Sequence, residues 1–193
     1  MEIRSVRGAE LAPWLDDVAR LRIAVFREFP YLYDGDLSYE AKYLQSYLET
    51  PDSICVLALD DDRVVGASTG LPLSAEGPSF RKPFEYRGIA ASDVFYCAES
   101  VLLPSWRGRG VGHRFFDERE NHARSLGAKF TAFAAVDRAI DDPRRGDARD
   151  NAEFWMKRGY VRQPGMSMQL SWREIGRSEE TPQTMTYWMR ELA

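Results

Sequence analysis

The 193-residue sequence predicts a single α/β domain spanning residues 1–193. Two observations lead there. Segments that alternate apolar with polar residues are interleaved with segments whose apolar residues recur every three or four positions, the periods of strands and of helices. In addition, the strand-like run Val94 to Leu103 passes through a glycine-rich turn into a helical pattern, and a second strand-like run, Phe130 to Val136, follows that helix. A crossover helix of this kind makes its two strands parallel neighbours.

Composition bounds the reading. With 44% apolar and 29% charged residues, the chain is long enough to bury one sizeable core. A formal net charge of -4 argues against a nucleic-acid partner, which needs a basic surface to displace counterions. The two cysteines, Cys55 and Cys97, both lie in apolar strand-like runs. They form neither a disulfide framework nor a zinc site, and they suit a reducing cytoplasm. No charged-then-apolar leader is present and no run approaches bilayer length, so a soluble, unexported protein without a membrane partner is expected.

In chain order, Glu2 to Arg7 alternates around Ile3 and Val6 and reads as a first strand. Trp14, Val18, Leu21, Val25 and Phe29 then mark one apolar face of a helix from Leu11 to Phe29, with Pro13 near its start. The next turn, Tyr31-Leu32-Tyr33-Asp34-Gly35-Asp36, is aromatic and acidic. Its simplest reading is a packed turn with both aspartates in solvent. A second helix carries Tyr43, Leu44, Tyr47 and Leu48 and stops at Pro51. Ser53–Asp60 and Arg63–Leu71 read as a hairpin around Asp60-Asp61-Asp62, a solvated turn rather than a metal site, since adjacent carboxylates point in different directions. Leu73 to Ala91 reads as a long connection with Phe80, Phe84 and Tyr86, the kind of loop that caps a site.

The central strand carries Glu99, which strict alternation places on one face with Cys97, Val101 and Leu103. A carboxylate among apolar residues is costly without a partner or a task. Two readings follow: an ion pair with an arginine from elsewhere, or a general base raised toward working pH by desolvation. Next come Arg107, Gly108, Arg109, Gly110, Val111 and Gly112, opening directly into a helix that carries Phe115, His122, Ala123 and Leu126 inward and ends at Gly127. Glycines let the backbone approach a ligand, and a helix start offers unpaired N–H groups and partial positive charge, so the turn is a site for a phosphate or pyrophosphate. The alternating glycines fit neither the dinucleotide fingerprint nor the P-loop. Beyond the second parallel strand, Asp137–Asp150 reads as a polar loop with Arg144, Arg145 and Arg149. A short helix follows, then strands over Met166–Trp172 and Thr184–Leu192.

Arg107, Gly110 and Gly112 match the Arg/Gln-x-x-Gly-x-Gly/Ala signature, so the chain resembles the GNAT superfamily of N-acetyltransferases. Phe154, Lys157, Gly159 and Tyr160 are similar to that family's second signature, a helix ending Phe-Tyr-x-Lys-x-Gly-Phe. The order of elements agrees over nearly the whole chain. The resemblance implies the GNAT acyl-CoA N-acyltransferase fold, with a central mixed, mostly antiparallel sheet flanked by helices. It implies acetyl-CoA as cosubstrate, without a metal, and an amine acceptor that is a small molecule or a peptide. Residues 107–112 would hold the pyrophosphate, while Val101, Leu102 and Leu103 would meet the pantetheine arm and Phe154 and Trp155 would line the same site. Glu99 would be the base, and Tyr31, Tyr33 and Asp34 would form the acceptor wall.

Trp155 departs from the pattern, because the family commonly places there the tyrosine that protonates the departing thiolate. Indole is no practical proton donor. Tyr160 or Tyr96 would then replace it, or the thiol would leave unaided as its anion. Two other readings of the chain stand beside the enzyme: an acyl-CoA sensor that binds without transfer, and a nucleotide-binding regulator. Exposed aromatic segments would permit a homodimer.

Overall fold

A computed structural model describes residues 1–192. The strands are β1 (Glu2–Val6), β2 (Ile54–Asp60), β3 (Arg63–Pro72), β4 (Val94–Leu102), β5 (Phe130–Val136), β6 (Val161–Arg173) and β7 (Glu180–Glu191). The helices are α1 (Leu15–Phe26), α2 (Leu37–Glu49), α3 (Pro78–Glu85), α4 (Val111–Ser125) and α5 (Ala152–Lys157). All seven strands join one sheet in the order β1-β2-β3-β4-β5-β7-β6, antiparallel throughout except for β4 against β5. Helices lie on both faces, so β2 is buried from Ile54 to Leu59 and reads as an unbroken apolar run.

One face of the sheet is covered by α1 and α2, which bring Val18, Leu21, Leu44 and Tyr47 against Leu57, Ala67, Tyr96 and Val101. The opposite face is covered by α4, which brings Val111, Phe115, Phe116 and Ala123 against Val56, Val65, Phe95 and Cys97. Burying one such phenylalanine contributes about 1.5–3 kcal/mol. Pro13 lies in a 3-10 turn, Gly8–Trp14, that precedes α1, so the helix itself starts later than the apolar period alone suggests. The connection after β3 is no plain loop: it contains α3, with Pro78 at its first turn, where the missing N–H costs nothing. The closing hairpin is longer than either apolar run, because main-chain pairing with β7 carries β6 through the polar residues out to Arg173.

Two features of β4 make the site. The first is that β4 and β5 pair only at Val94–Tyr96 against Phe130–Ala132. Beyond Tyr96, β4 stays with β3 and β5 stays with β7, so the two strands splay and leave facing edges without partners. The second is a bulge: Thr69 pairs with Glu99 but Leu71 pairs with Tyr96, so β4 uses one extra residue there. The bulge resets the alternation. Glu99 therefore shares the α1/α2 face with Tyr96 and Val101, while Cys97 points to the α4 face, which corrects the face expected from strict alternation. On the far side Arg119 of α4, itself buried, donates to the carbonyls of Thr69 (3.3 Å) and Glu99 (3.1 Å) and so satisfies backbone that the bulge frees.

Candidate active site

The turn that leaves β4 is built from backbone. Gly108 and Gly110 have φ of 75° and 79°, a region that favours glycine, and a side chain at either would point into open space. Gly110 caps α4 without a side-chain partner, and the first bonds of the helix run from the His113 and Arg114 N–H groups to the Gly110 carbonyl (3.1 and 3.3 Å). The Val111 and Gly112 N–H groups precede those first helical bonds. The Phe154 ring lies 3.4 Å from where a Gly112 side chain would begin and also meets His113 and Phe116 edge-on, so α5 braces this helix start. Arg109 lies over the Trp106 ring at 4.8 Å. Arg107 ties the turn back to the strand, its Nε donating to the Leu102 carbonyl (3.1 Å), while its terminal nitrogen pairs with Glu28 at 2.8 Å.

The turn is continuous with the splayed edge of β4. Leu103 gives its N–H to the Val65 carbonyl (3.0 Å), toward β3. Alternation turns Leu102 the other way, so its N–H faces the gap. Val101, paired to Ala67, presents its buried side chain to the α1/α2 face. Of the three residues expected along the pantetheine arm, Leu102 offers the open backbone.

On the α1/α2 face lies a buried charged cluster. Arg22 of α1 forms ion pairs with both Glu40 of α2 and Glu99 of β4. Its guanidinium also lies over the Tyr43 ring at 4.2 Å and the Phe26 ring at 5.1 Å. Burial works against the Arg22 charge, but Glu99, Tyr43 and Glu40 outweigh it and hold the group well above its usual value. Tyr43 donates to Glu99 (3.0 Å) and contacts the Tyr47 hydroxyl at 3.0 Å. Burial and the Glu99 charge push both tyrosines well up, so they act as hydrogen-bond donors and not as acids. The ion pair of Glu99 with an arginine distant in sequence is present in the structure.

Sequence reading missed Arg22 and Glu40. The signal was present: Arg22 falls on the helical stripe of Val18 and Val25, and Glu40 on that of Leu44 and Tyr47, and a charge on an apolar stripe calls for a buried partner.

Tyr160 does not reach this cluster. It is buried on the α4 face, its hydroxyl held by Thr131 (2.9 Å) and donating to Glu120 (3.1 Å), and burial above all pushes it far up. The sheet therefore lies between Tyr160 and Glu99, and the hydroxyl expected as a donor to the thiolate is engaged by Thr131 and Glu120. Trp155 stacks edge-on against Phe133 and Trp188 at 4.9 and 5.1 Å, a packing role. Tyr96 is buried on the α1/α2 face between Phe80 and Tyr187.

The acidic turn is docked onto the β6–β7 hairpin. Tyr33 bridges Glu174, the Asp34 N–H bonds to Arg173, and the Trp172 indole donates to the Tyr31 carbonyl at 2.9 Å. Asp34 pairs with Arg27 (3.2 Å) and Arg173 (3.3 Å), and Asp36 caps α2 through the Ser38 and Tyr39 N–H groups. Asp34 therefore takes part in the docking through two exposed arginines. Tyr31 and Tyr33 do border the cluster: Tyr31 is raised to about 12 by burial and by Glu99, and Tyr33 is raised by burial and by Glu40. Arg144 is taken up by Asp142 and Glu174.

The fold and this turn define an acyl-CoA-type transferase scaffold. Residues 18–146 match the acetyltransferase (GNAT) family, and the chain belongs to that family. Solved structures share the fold. They include an aminoglycoside 6'-N-acetyltransferase complexed with coenzyme A (15% identity, TM-score 0.64, covering 100% of this chain and 98% of that one). Another is the ribosomal-protein-alanine N-acetyltransferase of Brucella melitensis (16%, 0.60, 100% of both chains). A third is the yncA protein of Salmonella typhimurium with its cofactor acetyl-CoA (11%, 0.61, 100% and 95%). No curated protein sequence matches the chain. Among the described residues, no helix is long and apolar enough to cross a membrane.

Proposed function

We propose that this protein transfers an acetyl group from acetyl-CoA to a primary amine, by direct attack while both are bound. The observation that carries this reading is the continuity of the Arg107–Gly112 turn with the unpaired β4 edge at Leu102. A pyrophosphate fits the turn: the N–H groups of Val111 and Gly112 precede the first helical bond, space over Gly108 and Gly110 is open, and Arg107 and Arg109 supply charge. The Leu102 N–H is placed to steady the oxyanion that develops on the thioester oxygen. Fixing donor and acceptor side by side removes much of the entropic barrier. No tyrosine stands where Trp155 is, and the reading needs none, because a thiol with a pKa of about 8.5 leaves tolerably as its anion.

Thermal unfolding with and without acetyl-CoA tests the site. A ligand bound by the folded state alone at about 100 times its Kd adds roughly 2.7 kcal/mol, so the midpoint rises. No rise overturns the assignment. The indole at Trp155 favours one other reading, an acyl-CoA sensor. It predicts the same rise but no thiol release with any amine.

A further inference from the structure

Of the nine described residues of β4, Ser100 alone is exposed. Exposure in the interior of a seven-stranded sheet marks the space that opens where β5 leaves β4. Val101 packs on the α1/α2 face and Leu102 on the α4 face, so alternation puts Ser100 on the α4 face with Leu102. It stands beside the open main-chain edge at Leu102, two residues farther from the glycine-rich turn.

The proton of the Ser100 hydroxyl is accounted for. Ser68, directly opposite on β3 and fully buried, has a single hydroxyl proton and donates it to the Glu99 carbonyl at 2.9 Å. In the 2.8 Å contact between the two hydroxyls, Ser68 is therefore the acceptor and Ser100 the donor. What Ser100 turns to the open space is lone pairs. Each bond of the chain polarises the next, which makes this oxygen a stronger acceptor than an isolated hydroxyl. The chain ends on a main-chain carbonyl and carries no proton away, so Ser100 accepts a hydrogen bond and does not act as a base.

The adjacent main chain has the opposite bias. Arg107 Nε takes the Leu102 carbonyl at 3.1 Å, so at Leu102 the edge is left with an N–H and no free acceptor. The arm of acetyl-CoA carries amides, and each brings an N–H that needs an acceptor once it leaves water. Two methylene groups separate the last of these amides from the sulfur. That reach is comparable with the spacing of about 6.7 Å between alternate residues of a strand, the separation of Leu102 from Ser100.

We propose that Ser100 Oγ, oriented by Ser68, accepts the N–H of the arm's last amide and so positions the thioester carbonyl against the Leu102 N–H. This rests on the reading above that the gap receives acetyl-CoA. Ser100 touches the cosubstrate, and Ser68 is a positioning residue that acts through it.

Calorimetric titration of the full chain with CoA and with adenosine 3′,5′-bisphosphate separates the arm from the nucleotide end. Ser100→Ala is expected to weaken CoA binding about fivefold, the worth of one net hydrogen bond, and to leave the bisphosphate unchanged. Ser100→Thr keeps the hydroxyl and should retain most of the affinity. Ser68→Ala lets the Ser100 proton turn outward and should weaken CoA binding about two- to threefold, with no further effect in a Ser100→Ala background. Parental CoA affinity in Ser100→Ala means that the arm uses main chain alone and overturns the proposal. So does an equal loss for CoA and the bisphosphate, which places the effect on the turn or the fold. A parent that binds neither ligand overturns the acetyl-CoA reading, and the proposal with it.

Discussion

The glycine-rich turn after β4 and the charged cluster under α1 and α2 are built in opposite ways. The turn is exposed backbone, its Cβ positions at Gly108 and Gly110 open to solvent and its donors left over from a helix start. The cluster is buried side chain, with Arg22 and Glu99 each only 7% exposed and Glu40 not at all. A backbone site needs only the right dihedral angles and loses little when empty. A buried side-chain site must be electrically complete at all times, so its charges serve stability.

The largest effect should come from the cluster. Arg22→Met keeps the bulk of the side chain but strands Glu40 and Glu99 without a cation, and urea unfolding should show a loss of about 3–5 kcal/mol. A loss under 1 kcal/mol would mean that water reaches the cluster and that it is no buried network.

The turn should answer differently. Gly110→Val places a branched side chain at φ 79°, which costs about 1–2 kcal/mol of stability, yet it should abolish the midpoint rise with acetyl-CoA. A variant that keeps the parental rise would remove the turn from the ligand site. The smallest effect is expected at Glu28, which holds Arg107 through an exposed pair worth about 0–1 kcal/mol. Freeing the guanidinium with Glu28→Gln should tighten CoA binding by at most about fivefold in a calorimetric titration, whereas weaker binding would show that Glu28 positions Arg107 instead of competing for it.

This contrast also explains what could be read in advance. The turn, the crossover between β4 and β5 and the apolar faces of α1, α2 and α4 were legible because each is written in contiguous residues with a fixed period. Trp155 was legible as a departure from the expected tyrosine, but its place against Phe133 and Trp188 was not. The face of Glu99 was misread for a specific reason: one extra residue between Tyr96 and Glu99 inverts every later side chain, and hydrophobic alternation does not mark where a strand bulges. The docking of Asp34 onto Arg173 was equally hidden, since the partners lie far apart in sequence.

By itself the sequence determined the backbone site, because glycine dihedrals and helix starts are local properties of neighbouring residues. Only the tertiary structure decided which carboxylates are neutralised. Glu40 and Glu99 are both answered by Arg22, and that pairing exists only when α1, α2 and β4 converge on one face of the sheet, where low polarity would make a missing partner costly.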